Sequence, residues 1–198
     1  MLMKKSAITR QMLLQNAFQL IYVKGYQSTS IDDIIATTHV TKGAFFHHFQ
    51  NKEEMGLALI HEFMQGTIQD MMLSPLIDSE NPLDAIYNLM RLLLLETPLM
   101  QAQYGCPTHN LIQEMAPINP AFKQALFEIT EQTQSVFLNI LEKAKSQGIV
   151  RQNVDCEQVT LFILVGYAGI RNIGKLYDDD KHYHNYLALL KDYLKGLK

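Results

Sequence analysis

Cysteine is scarce in this 198-residue chain: Cys106 and Cys156 are the only two, with neither a CxxC pair nor a zinc-finger spacing. A disulfide framework or structural metal site is therefore not expected, no metal ligand set is assigned, and a reducing cytoplasm is the expected setting. Glycine (10 residues) and proline (6 residues) are too few for a collagen-like or low-complexity chain. The longest uncharged apolar run, residues 159–170, is interrupted by Thr160 and falls short of the ~20 residues that span a bilayer. Met1 to Lys5 are not followed by the apolar core of a signal peptide, so neither export nor membrane insertion is expected. The glycine-rich nucleotide loops, the GxSxG elbow and zinc-enzyme motifs are all missing, which leaves an enzyme reading without residues and calls for no cofactor. His182 and His184 beside Asp178, Asp179 and Asp180 read as a solvated surface loop rather than a metal site.

What is present is apolar content of 47% against 19% charged residues, enough for one globular domain or a small head on a larger body. Net charge is −3, which argues against a surface that coats nucleic acid throughout. Its distribution is uneven. Residues 1–55 hold six basic against four acidic side chains, and the rest holds eleven against sixteen. A mildly basic head on an acidic body suits a site-specific DNA binder.

Apolar residues recur at helical spacing along nearly the whole chain, and strand-like alternation is hard to find, so the expected fold is all-α with about nine helices. Leu13, Leu14, Ala17, Leu20 and Ile21 form one stripe of a first helix that stops at Gly25. Ser30 caps a short second helix with Asp32 and Asp33 in its first turn and Ile31, Ile34 and Ile35 facing inward. Thr41 caps a third helix reaching His48, and Asn51 with Glu54 caps a fourth reaching about residue 72. Ser74-Pro75 and Asn81-Pro82 then break the chain before an apolar helix over 83–96. Pro107 opens a short helix, a long one covers 121–147 and ends at Gly148, Asp155 caps an apolar helix to 176, and a last helix covers 182–197.

Residues 30–48 carry the order of a helix-turn-helix. Phe45 and Phe49, four apart, anchor the second helix and leave Thr41, Lys42, Ala44, Phe46, His47 and His48 to project outward. Gly43 leaves room for a phosphate or base edge. Such a face can meet a major groove, and Lys52 at the start of the fourth helix can add its ammonium to a phosphate held at that helix N-terminus.

Over residues 10–57 the string Arg10, Leu13-Leu14, Ala17, Leu20-Ile21, Gly25-Tyr26, Ser30-Ile31, Ile34-Ile35-Ala36, Val40 through Phe49, and Lys52-Glu53 resembles the DNA-binding head of TetR-family repressors. The resemblance implies phosphate and base contacts for Thr41, Lys42, Gly43, Ala44, Phe46, His47, His48 and Lys52. It implies a head over residues 1–50, an effector-binding and dimerisation domain over 51–198, and a homodimer that binds a pseudo-palindromic operator in double-stranded DNA. A small-molecule effector, or thiol modification, would release it. Two positions depart from the family pattern. His39 stands where glycine is usual, and is expected to take up a left-handed turn; Phe46 stands where tyrosine is usual, and lacks the hydroxyl that bonds a phosphate.

In the body, the helix around Phe162, Gly166 and Gly169 is apolar nearly all round, so Phe162, Gly166, Gly169, Ile173, Tyr186 and Leu190 are the expected dimer contacts. Tyr87, Met90, Leu94, Tyr104, Cys106, Asn110, Phe137 and Phe162 are the expected lining of an effector pocket. Cys106 stands out: with Pro107 at the first helical position it is the N-cap, where the helix dipole lowers a thiol pKa, and His109 lies three residues on. Gly105-Cys106 also resembles the start of the regulatory helix in oxidant- and electrophile-sensing TetR-type repressors. Cys156 reads as structural.

Overall fold

Helices make up every regular element among the described residues of the computed structural model, which covers residues 5–77, 79–98 and 100–198. Residues 1–4, on which the signal-peptide expectation turns, lie outside the described residues. Helices α1 (Lys5–Lys24), α2 (Ile31–Ala36) and α3 (Lys42–His48) come first. Next, α4 (Lys52–Ala58) continues through a π-helical stretch, Leu59–Met64, into α5 (Gln65–Ile68), a second π-helical stretch, Gln69–Leu73, and α6 (Ser74–Ile77). Helix α7 (Pro82–Arg91) passes into a π-helical end, Leu92–Glu96. A 3-10 turn, Ala102–Tyr104, precedes α8 (Pro107–Met115) and α9 (Pro120–Ser146). Then follow α10 (Cys156–Ile173), with a 3-10 extension over Gly174–Leu176, and α11 (Lys181–Lys195). Counted as uninterrupted helical runs and leaving the isolated 3-10 turn aside, the described residues hold nine.

The caps explain where the short helices start. Ser30 Oγ accepts the Asp33 N–H at 3.0 Å while the Asp33 carboxylate accepts the Ser30 N–H at 2.8 Å. Asp155 accepts from the Gln158 N–H at the head of α10. Asn51 accepts the Glu54 N–H at 2.8 Å, but the Glu54 carboxylate reaches back to the N–H of Gln50 rather than of Asn51. Helices α1 and α9 both end at glycines with positive φ, Gly25 (88°) and Gly148 (74°), as a chain leaving a helix through the left-handed region requires.

Two expectations are corrected here. Ser74-Pro75 does not end the fourth helix, which continues to Ile77. The preceding turn over Gln69–Leu73 is π-helical, and the Ser74 hydroxyl donates to Gln69 O at 2.9 Å; a wider turn before the ring removes the clash that proline makes with an α-helical carbonyl. Of Ile31, Ile34 and Ile35, only Ile34 is buried, because a six-residue helix lays one side chain squarely on the core.

The chain gathers into two compact units. One combines residues up to Ile68 with Asn110–Glu128; the other combines Gln69–His109 with Ile129–Lys198. In the first, Leu13, Ala17, Ile34, Phe45, Phe49, Met55 and Phe122 form the core, each at most 1% exposed. Burying a side chain such as Phe45 stabilises the unit by about 1.5–3 kcal/mol. Packing at Gly56 is so close that a Cβ there would lie 2.6 Å from the Phe122 ring and 2.7 Å from that of Tyr26. In the second unit, α7 and α10 both pack on α11, and Ile86, Phe137, Leu141, Ile163, Tyr183 and Leu187 are buried.

Candidate functional site

Helix α3 is held at both ends and from below. Thr41 Oγ1 accepts the Ala44 N–H at 3.2 Å and keeps its own hydrogen to donate outward. Phe45 and Phe49 are buried, with their rings 5.5 Å apart. At the other end the carbonyl of His48, which the helix itself cannot satisfy, accepts from Arg10 Nη1 at 2.8 Å. The same guanidinium lies 4.3 Å over the Phe49 ring and is gripped by Glu62 through Nε at 2.9 Å and Nη2 at 2.5 Å. Bonding to Arg10 holds the Glu62 carboxyl below its ordinary pKa. Sequence reasoning gave neither Arg10 nor Glu62 this role, since 52 residues separate them and no spacing rule links them.

The turn before α3 departs from expectation. Among the described residues every positive φ belongs to glycine, so His39 is not left-handed. Instead the hydroxyls of Thr37 and Thr38 donate to the carbonyls of Ile34 and Ile35, and Thr38 Oγ1 accepts the Val40 N–H. These side-chain bonds supply what a left-handed glycine turn supplies through the backbone.

The outward face carries the expected residues. Thr41, Lys42, Gly43, Phe46 and His47 are exposed, while Ala44 and His48 are half-buried. A Cβ at Gly43 would meet nothing within 4 Å, so packing inside the chain does not require glycine there. Lys42 Nζ pairs with Asp32 at 2.8 Å in the open, a bond that water and salt weaken to at most about 1 kcal/mol. Lys52 is half-buried, its ammonium 4.3 Å over the Tyr26 ring and 3.4 Å from Gln27 O, and burial lowers its pKa. Burial, the neighbouring His47 and Arg10 lower that of His48. Beside this face, the Glu114 carboxylate accepts from the N–H groups of Tyr26 and Gln27 at 2.8 and 2.7 Å, clamping the end of α1.

The second unit holds the expected body residues in different surroundings. Met90, Leu94, Cys106 and Phe137 are buried; Tyr87, Tyr104 and, in the first unit, Asn110 are half-buried, with Lys191 Nζ 5.4 Å over the Tyr87 ring. Phe162 is 55% exposed and packs on Tyr193 with ring centroids 4.5 Å apart, so it does not line an interior pocket. It belongs to an open stripe with Leu161, Val165, Gly169, Ile173 and Leu176 along one side of α10. Gly166 instead packs within the chain, making room for Tyr186, whose hydroxyl donates to Ile163 O. Leu190 is 2% exposed and faces inward; the open leucine of α11 is Leu189, at 73%. By length and composition alone the helix over Cys156–Leu176 is apolar enough to cross a membrane, a test that a core helix of a soluble protein also passes; a third of its most apolar window is buried within the chain.

Cys106 is a free, buried thiol before Pro107. Burial raises its pKa, but hydrogen bonds from the side chain and backbone of His109, with the charges of His109 and Arg171, bring it down to about 7. His109 is correspondingly raised, against its burial, by the sulfur. Cys156 is pushed up to about 11 by burial and Glu142. No group of three metal-ligating side chains is poised around an ion among the described residues.

Known proteins share both parts of the chain. Residues 13–59 match the model for bacterial regulatory proteins of the tetR family, and residues 82–190 match the tetracycline repressor-like C-terminal domain. A helix-turn-helix transcriptional regulator from the lacX 3′ region of Lactococcus lactis is 30% identical over 146 residues, 74% of each chain. The transcriptional repressor DhaR of a Mycobacterium species is 26% identical over 81% of this chain and 79% of its own. Among solved structures, a TetR-family regulator from Cytophaga hutchinsonii superposes with a TM-score of 0.87 at 20% identity, covering 100% of this chain and 98% of that one.

Proposed function

This chain belongs to the TetR family and is a transcriptional regulator of the helix-turn-helix type, and on that premise we propose that it is a cytoplasmic repressor that binds a pseudo-palindromic operator as a homodimer. The observation that carries the reading is α3, a short helix fixed by Thr41, Phe45, Phe49 and Arg10 whose remaining face is open. Thr41, Lys42, Gly43, Ala44, Phe46, His47 and His48 form the DNA contact, with Lys52 at the neighbouring helix start. DNA binding falls to residues 1–50, and effector binding and dimerisation to 51–198. DhaR is itself named a repressor, which favours that sign of regulation.

The open stripe of α10 supports the dimer. Leu161, Phe162, Val165, Ile173 and Leu176, each at least half exposed, line one side of the helix with apolar surface of the kind that marks an interaction site, and the exposed, Cβ-free Gly169 lets a second helix come close. A second copy of this chain covers that stripe. Two recognition helices then lie about 34–36 Å apart, or a multiple of that distance, along one face of the duplex.

Release comes from a small molecule in the body or from modification of Cys106. Either changes DNA affinity only by its preference between two states, and a tenfold release needs about 1.4 kcal/mol of that preference. Selection of bound sequences from random duplexes tests the reading. It is expected to return inverted repeats; single unpaired half-sites would overturn the dimer, and failure to enrich any sequence would overturn the DNA role.

A further inference from the structure

Arg171 is a buried charged side chain, 1% exposed, and has no carboxylate within ion-pair distance among the described residues. Its Nη2 donates to Gly105 O at 2.5 Å, the carbonyl immediately before Cys106, while Nε and Nη1 have no acceptor. Close by, the Tyr183 hydroxyl is also buried without a partner among the described residues, and the Arg171 guanidinium lies 5.8 Å from the Tyr183 ring. Lys175 adds a further positive charge: a Cβ at Gly105 would lie 2.2 Å from its Cε. A buried guanidinium bonded to a single carbonyl is costly to keep, so an anion formed beside it would be strongly favoured.

Around this thiol and its imidazole lie His109 itself from α8, Arg171 from α10 and Lys175 from the 3-10 extension, while Tyr167 of α10 packs on the His109 ring and Tyr183 of α11 lies beside Arg171. Among these described groups the one that becomes an anion near neutral pH is the sulfur. We propose that Arg171 is the counter-ion of the Cys106 thiolate, and that an electrophile acts on this regulator according to the charge its adduct leaves on Cys106. The inference rests on the reading that Cys106 modification controls DNA binding. A neutral adduct removes the anion and strands Arg171, which favours a rearranged, non-binding state; an anionic adduct of the same size keeps the pair and leaves the DNA-binding state in place.

Two haloacetates separate the cases. In each reaction the thiolate sulfur displaces iodide, an S–C bond forming as C–I breaks; iodoacetamide leaves a neutral carbamidomethyl group and iodoacetate a carboxymethyl group of nearly equal size. With the full-length protein, the rate of Cys106 alkylation is followed against pH by peptide mass spectrometry for the unaltered chain, Arg171→Met and Arg171→Lys. The unaltered chain is expected to show a midpoint near 7, Arg171→Met a higher midpoint, and Arg171→Lys a midpoint between them. Near-equal midpoints in all three would overturn the pairing, and Arg171→Lys alone suffices should Arg171→Met not fold. Operator binding of the alkylated wild type is then measured. Carbamidomethylation is expected to weaken it about tenfold or more and carboxymethylation by less than about threefold. Equal weakening by both would reject the charge rule while leaving thiol control standing, and no weakening by either would reject thiol control and the charge rule together.

Discussion

Replacing Arg10 by methionine should loosen α3 without touching its DNA-facing side. The Arg10–Glu62 pair is 30% and 47% exposed at its side chains, so solvent reduces it to about 0.5–1 kcal/mol. The bond to His48 O is charge-assisted and satisfies a helix-end carbonyl, contributing about 1 kcal/mol, and the contact over Phe49 adds about 0.5. Together they predict a loss of about 2 kcal/mol, which at this chain length lowers Tm by about 4–8 °C. A cycle with Glu62→Gln isolates the pair and should return about 0.5–1 kcal/mol of coupling. The sign with pH follows from Glu62, whose pKa is lowered in the folded state. Its contribution is fully present above the ordinary carboxylate pKa and is lost as pH falls from there through the lowered pKa of the folded state, so the deficit of Arg10→Met should shrink on acidification. Calorimetry of both variants at neutral and acid pH is the assay. A Tm within about 1 °C of the parent, or a deficit that grows in acid, would refute the brace.

Phe46→Tyr restores a hydroxyl on an exposed ring, and if α3 meets a phosphate there, operator affinity should rise about fivefold, or about 1 kcal/mol, by anisotropy; unchanged affinity would remove Phe46 from the contact. Gly169→Glu places a charge on the open stripe where a Cβ meets nothing within 4 Å, so sedimentation should show a folded monomer, and a persistent dimer would move the interface elsewhere. Gly56→Ala drives a methyl into the Phe122 and Tyr26 rings and should cost about 1–3 kcal/mol in thermal unfolding; a neutral result would mean the rings move aside freely.

Helix starts were legible because a cap is local: Ser30, Thr41, Asn51 and Asp155 each bond an N–H three residues on. The inward pair Phe45 and Phe49 was legible for the same reason, a spacing within one helix. The π-helical passage into Pro75 was hidden, since it depends on a backbone register that no residue type announces. Leu190 and Leu189 differ by one position and about 100° of helix rotation, a phase that a helix apolar on several sides leaves open. Arg171 reads in sequence as an ordinary polar residue near a helix end; only the fold reveals that it is buried beside Gly105 without a carboxylate. Arg10, Glu62 and Glu114 were out of reach because their partners lie 38 to 88 residues away.

On this reading the protein binds DNA sequence-selectively through α3. Such binding is tested most directly by fluorescence anisotropy of the full-length protein with the duplex upstream of its own gene, against a random duplex, across a salt titration. Tighter binding to the upstream duplex is expected, with the logarithm of affinity falling steeply and linearly in the logarithm of salt as phosphate counter-ions are released, and a shallower slope for Lys42→Ala. Equal affinity for both duplexes, or affinity indifferent to salt, would contradict it.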